Sequence, residues 1–128
     1  MSVQAVHTEK APKPAGPYSQ AIIVGPLIFT AGVGPIDPVS GRVVGETVGE
    51  QTRHVLKSLE AILAEAGATF RDVVKTTVHL HNLSRDFADF NHAYGEFFAE
   101  PYPVRTTVGS TLNRILVEID MVAFKPDQ

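Results

Sequence analysis

Residues 103–123, PVRTTVGSTLNRILVEIDMVA, read as two β-strands joined by a short polar turn. The first, Val104 to Val108, sets Arg105 among β-branched neighbours. The second, Ile115 to Ala123, is apolar apart from Glu118 and Asp120. Side chains two apart on a strand share a face, so the two carboxylates point the same way, together with Leu116 and Val122. A charge inside an apolar strand is costly to bury without a partner. On neighbouring strands, Arg105 and these carboxylates leave two readings open: a structural ion pair, or a small site for a carboxylate-bearing ligand.

Working outward, the rest of the chain supplies what such strands must pack against. Residues 1–10 have room for one short edge strand, and Ala11–Pro17 (APKPAGP) is an ordered loop. Tyr18–Val24 and Leu27–Thr30 form a hairpin across Gly25-Pro26. Gly32–Gly45 is loop-rich. Thr47 and Glu50 make a Thr-x-x-Glu capping box. It opens a helix whose stripe is Val55, Leu56, Leu59, Ile62, Leu63 and Ala66, with Gly67 as the stop. Asp72–Leu80 is a strand, with Val74, Thr76, Val78 and Leu80 on one face and Val73, Lys75, Thr77 and His79 on the other. Ser84 is a candidate N-cap for a second helix, where Phe87, Phe90, Tyr94, Phe97 and Phe98 recur at helical spacing. Pro101 and Pro103 end that helix by Glu100.

The order of elements predicts an α+β fold with two amphipathic helices over one face of a mostly antiparallel sheet. The other sheet face is not clearly polar, because Val73, Thr77, Thr107 and Val122 belong to strands with apolar residues on both sides. Such a face is normally buried against another subunit, so a homo-oligomer is expected.

The 128 residues fit one domain, 1–128, and at 44% hydrophobic and 20% charged they can bury a single core. A net charge of −3 argues against a dedicated nucleic-acid binder, which carries a basic excess or stripe. The absence of cysteine removes disulfides, Cys-ligated zinc and a thiol nucleophile. No signal-peptide core and no membrane-length apolar run is legible, so a cytoplasmic location is the default expectation.

Several residues could carry chemistry. The guanidinium of Arg105 matches a carboxylate in a planar, bidentate fashion. Glu118 could act as general base or acid towards a water, with Asp120 raising its proton affinity, or it could sit in an ion pair. Tyr18 either packs its ring or offers its hydroxyl at a cavity edge. His79-x-His81 has chelating spacing on one strand face, but no third ligand accompanies it, so no metal is expected. Gly32-x-Gly34-Pro35 is a turn rather than a dinucleotide fingerprint.

Taken together and in this order, Gly16-Pro17-Tyr18, Thr30-x-Gly32, Val74-Lys75-Thr76-Thr77-Val78, Asn91-x-x-Tyr94-x-x-Phe97-Phe98, Pro103-x-Arg105 and Val117-Glu118-Ile119 resemble the RidA/YjgF/UK114 family, also called the endoribonuclease L-PSP family. The resemblance covers nearly the whole chain. It implies chorismate-mutase-like subunits in a homotrimeric barrel, with sites in the clefts between subunits. It also implies cofactor-free hydrolysis of enamines and imines, of the 2-iminobutanoate and 2-iminopropanoate type, to 2-keto acids and ammonia.

By position, Arg105 would clamp the substrate carboxylate and Glu118 would activate the water. Tyr18, Ala31, Gly32, Asn91 and Thr107 would line or support the pocket. The chain departs from the family at the turn, where Thr30-Ala31-Gly32-Val33 replaces Thr-Ser-Gly-Gln. It departs again at Thr107, commonly cysteine, and in a shorter Arg105–Glu118 segment with Leu112-Asn113 in place of Leu-Pro. The alternative is a non-catalytic trimer that binds small keto or amino acids in the same cleft. The family's other name adds RNA cleavage, which the acidic balance speaks against.

Overall fold

The computed structural model describes residues 2–126. The strands are β1 (Val3–Val6), β2 (Ala21–Val24), β3 (Leu27–Thr30), β4 (Val73–Leu80), β5 (Val104–Gly109) and β6 (Val117–Phe124); the helices are α1 (Val48–Glu65) and α2 (Leu83–Gly95). They build one six-stranded sheet in the order β1-β2-β3-β6-β4-β5. All neighbours are antiparallel except β4 and β5, which run parallel. The sheet is therefore mixed.

Strands β5 and β6 are thus not a hairpin, contrary to the expectation from residues 103–123. Strand β4 lies between them and pairs with both, Thr76 facing Arg105 on one side and Met121 on the other. Parallel neighbours need a crossover connection, and α2 supplies it between β4 and β5. The polar turn at Thr111–Arg114 instead carries the chain from the sheet edge over to β6.

Helix α1 forms as its pattern predicts. Thr47 accepts from the Glu50 N–H, and the Glu50 carboxylate accepts from Thr47 N–H, closing the capping box. The stripe Val55, Leu56, Leu59, Ile62, Leu63 and Ala66 is buried, and Gly67 ends the helix with φ of +84°. Each of the valine, leucine and isoleucine side chains in it contributes about 1.5–3 kcal/mol by leaving water. Helix α2 is capped by Asn82, whose Oδ1 accepts from Arg85 N–H at 3.3 Å, so Ser84 lies inside the first turn and is not the cap. Both helices cover the face that bears Ile28, Val78, Leu80, Val117, Ile119 and Met121.

Three further expectations shift. Strand β2 starts at Ala21, leaving Tyr18 in the preceding loop. The β4–β6 register slips between Val73 and Lys75, so Val73 turns into the core and Val74 is exposed, reversing their predicted faces. Thr107 pairs with the buried Val78 and so lies on the helix side. The uncovered face is nonetheless part apolar: Ile22, Leu27, Phe29, Val122 and Phe124 line up across β2, β3 and β6, with Phe29 and Phe124 exposed. No helix is long and apolar enough to cross a membrane among the described residues.

Candidate functional site

The candidate residues fall into two groups on opposite sides of the sheet. Directly paired residues point to the same face, and the face alternates along each strand. Arg105 pairs through Thr76 with Met121, on the helix side; Glu118 is three residues from Met121 and so points to the uncovered side. Within one chain, an ion pair of Arg105 with Glu118 or Asp120 is therefore excluded.

On the helix side, Arg105 is held in a cage that α2 provides. Its guanidinium stands 4.9 Å from the Tyr94 ring centre, 5.2 Å from Phe90 and 5.9 Å from Phe87. These are cation–π distances, each contributing about 0.5–2 kcal/mol depending on exposure. One nitrogen, Nη2, donates to Asn91 Oδ1 at 2.7 Å. Phe87, Phe90, Asn91 and Tyr94 share a helix face because they are spaced by three and four residues.

Tyr94 is fixed in turn by a 2.9 Å hydrogen bond with the buried Thr76 hydroxyl, and burial pushes its phenol up, with the hydrogen bond and Arg105 pulling back. Among the described residues Arg105 has no carboxylate partner. A cation oriented by rings and a neutral amide keeps its charge uncompensated and can receive an anion. Beside it, Phe87 and Thr107 line an open cavity of about 690 Å³ with His81 and Leu83.

On the uncovered side, Glu118 lies across the backbone of Gly32: a Cβ there would stand 2.6 Å from Oε2. Only glycine leaves the carboxylate that room. The turn is held by the Val33–Ile119 bridge, with Val33 N–H donating to Ile119 O at 2.8 Å and Ile119 N–H donating back at 3.1 Å. The Thr30 hydroxyl accepts from Met121 N–H at 2.9 Å. Tyr18, Ala31, Gly32 and Glu118 together line a cavity. Tyr18 is half exposed there, and its hydroxyl accepts from Ala15 N–H at 2.9 Å within its own loop.

Asp120 faces the same side, paired with Thr77; burial pushes its carboxyl up, while His79 and Lys75 pull it back. His79 and His81 do not form a chelate: Nδ1 of His79 lies 2.6 Å from Ser110 Oγ, whereas His81 follows the strand and its Nδ1 accepts from Leu112 N–H at 3.1 Å. No cluster of three metal-ligating side chains occurs among the described residues.

Two supports escaped sequence reasoning. Gln20 is buried, accepting from Thr8 N–H and donating to the carbonyls of Thr8, Ala11 and Pro12, which anchors the loop bearing Tyr18. Gln51 bridges Gly45 O and Leu116 N–H, tying α1 to the start of β6. A glutamine one turn ahead of an apolar stripe was the available signal. The helical spacing of Phe87, Phe90 and Tyr94 is visible in the sequence, but nothing local shows that the rings surround Arg105.

Residues 8–125 match the family described as Endoribonuclease L-PSP. The chain is 50% identical over 127 residues to a RutC family protein of Pyrococcus abyssi, spanning 98% of this chain and 99% of that one. It is 42% identical over 122 residues to the chloroplastic Reactive Intermediate Deaminase A of Arabidopsis thaliana, spanning 94% of this chain and 65% of that protein. Among solved structures, E. coli TdcF with bound serine matches with a TM-score of 0.88 at 33% identity, over 95% of this chain and 98% of that one.

Proposed function

The chain belongs to the endoribonuclease L-PSP family, and from that premise we propose that it hydrolyses small 2-imino acids and their enamine tautomers to 2-keto acids and ammonia. The observation that carries the proposal is a divided pair: an arginine without a carboxylate partner among the described residues on one sheet face, and a glutamate poised over a glycine on the other. Neither half alone holds and hydrolyses an imine. Together they match it, one binding the carboxylate and one serving the water.

Because one chain keeps them apart, the complete site joins the Arg105 half of one copy to the Glu118 half of another. The apolar strip from Ile22 to Phe124 supports this, since a second copy would cover it. A ring of such contacts is a heterologous, closed assembly, and a trimer is the form proposed.

In the reaction, Arg105 fixes the substrate carboxylate and so aims the imine carbon. Glu118 takes a proton from a water whose oxygen adds to that carbon, forming a carbinolamine. The imine nitrogen takes that proton to complete the carbinolamine; Glu118 then moves the hydroxyl proton to the same nitrogen, and the C–N bond breaks with its electron pair on the departing ammonia as the C–O bond closes to the ketone. One water enters, and one keto acid and one ammonia leave. No cofactor takes part in this scheme.

The test adds purified protein to a threonine dehydratase reaction and follows imine decay by semicarbazide trapping. Faster decay that Arg105→Ala abolishes is expected. Decay unchanged by the wild-type protein sinks the proposal. Saturable binding of a keto acid or of serine without any rate effect would instead establish a binding protein using the same cleft, a reading kept alive by the serine bound to TdcF.

A further inference from the structure

Residues 110–116 join the Arg105 strand to the Glu118 strand and form neither helix nor strand. Thr111, Leu112 and Asn113 border the space in which Glu118 lies. Both ends of the connection are tied down. Ser110 N–H donates to Leu80 O at 3.0 Å. Leu116 N–H donates to Gln51 Oε1 at 2.8 Å, and its carbonyl accepts from His81 N–H at 3.0 Å. Between these ends, among the described residues, a single hydrogen bond holds residues 111–115: Leu112 N–H donates to Nδ1 of His81 at 3.1 Å. All of these contacts lie within one chain and do not depend on a second copy.

Both histidines of His79-x-His81 reach this connection, but their partners differ in kind. Nδ1 of His79 lies 2.6 Å from Ser110 Oγ, and a hydroxyl both donates and accepts, so that contact survives protonation of the ring. His81 faces a backbone N–H, which only donates. Its Nδ1 must therefore carry a lone pair, which puts the proton of the neutral ring on Nε2. An imidazolium bears N–H on both nitrogens and sets donor against donor at Leu112. Among the described residues no carboxylate pairs with His81. Arg105 on β5 and Arg114 in the connection are cations, and Arg85 on α2 is paired with Asp86 at 2.8 Å. Glu118 and Asp120 on β6 point to the uncovered face, as does His79. Helix α1 contributes the neutral Gln51 to the adjoining Leu116, and no acid lines the cavity that His81 shares with Phe87 and Thr107.

We propose that His81 is a positioning residue for the Glu118 half of the site: its neutral ring holds Leu112, and with it the Thr111–Asn113 wall, and protonation of the ring lets that wall go. The proposal rests on the imine-hydrolysis reading and adds to it a residue that acts through the connection rather than on the reacting atoms. The loss of one neutral hydrogen bond sets the scale of the effect, about fivefold in kcat/KM.

The test follows imine decay in the threonine dehydratase reaction, from neutral to acid pH, for wild type, His81→Asn and His81→Leu. The side-chain oxygen of asparagine accepts from Leu112 N–H without titrating, whereas leucine offers no acceptor. Glu118 and the substrate are common to all three proteins, so their own ionisation drops out of the comparison. At neutral pH, His81→Leu should have kcat/KM about fivefold below wild type, and His81→Asn should restore most of the loss. In acid, wild type should fall about fivefold relative to His81→Asn. A wild-type rate in His81→Leu overturns the proposal. So does a ratio of wild type to His81→Asn that stays constant with pH, and that ratio decides alone if the leucine variant does not fold. The Leu112 amide signal in NMR separates the proposal from the reading beneath it: it should move on acidification in wild type and stay in place in His81→Asn. If wild-type protein leaves imine decay unchanged, the imine reading fails and the amide signal decides whether His81 holds the connection. A signal that behaves alike in both proteins overturns that as well.

Discussion

The two faces of the sheet are built in opposite ways. On the helix side, Arg105 is clamped by three aromatic rings and an amide, all from α2. On the open side, Glu118 rests on bare backbone, and its surroundings come from loops: the Tyr18 loop, the Ala31–Gly34 turn and the Thr111–Ile115 connection. One side is preorganised by regular structure and a packed core. The other is shaped by segments whose sequence can vary without disturbing that core. If Arg105 anchors the substrate carboxylate as proposed, substrate range should be tuned on the loop-built Glu118 side.

Removing either charge should have the strongest consequence. Arg105→Ala and Glu118→Gln should each lower kcat/KM by about 10²–10³. Coexpressed in equal amounts, the two variants should recover about a quarter of wild-type activity, because about one site in four then draws Arg105 from a Glu118→Gln copy and Glu118 from an Arg105→Ala copy. Recovery no better than either variant alone would rule out a site shared between copies.

Gly32→Ala should come next. The new Cβ meets the movable end of Glu118 rather than backbone, so the protein should fold normally while the carboxylate is displaced and kcat falls about ten- to hundredfold. A wild-type rate would mean the carboxylate need not lie over the turn.

Asn91→Ala acts on the anchor more gently. Losing the 2.7 Å bond to Nη2 should loosen the guanidinium and raise KM about fivefold, with kcat largely kept. A fall confined to kcat would place Asn91 elsewhere in the chemistry.

The smallest effect concerns Asp120, whose carboxyl is pushed up by burial. A raised folded-state value means the folded protein holds the proton more tightly than the unfolded chain, so this group's contribution is lost as pH rises through that value. Asp120→Asn should therefore melt about 1–2 °C above wild type at neutral pH, a modest gain for a part-exposed group. The gain should vanish in acid, below the ordinary carboxylate range. Melting curves at the two pH values decide it, and a gain that grows in acid contradicts the assigned cause.

Local patterns were legible from the chain because they rest on local physics. The capping box at Thr47 and Glu50, the stripe from Val55 to Ala66 and the stop at Gly67 depend on groups within a turn or two of each other. The alternation of β6 likewise placed Glu118 and Asp120 on one face. Arg105 and Glu118 stood out as costly charges in apolar strands, and that cost needs no tertiary knowledge. The Asn82 cap was missed because Asn82 and Ser84, two residues apart, are both competent caps, and the slip at Val73 because two adjacent valines compete for one core position that pairing with β6 settles.

What the sequence determined alone was therefore which elements form and which residues are charged out of place. What the tertiary structure decided was who sits beside whom. Nothing within residues 103–123 says that β4 will enter between the two strands, because pairing energy is similar for many partners and the choice depends on where α2 delivers the chain. That insertion sends Arg105 to the helices and Glu118 to the open face. It removes the apparent ion pair, since a carboxylate and a guanidinium on opposite faces of one sheet cannot meet within a single chain.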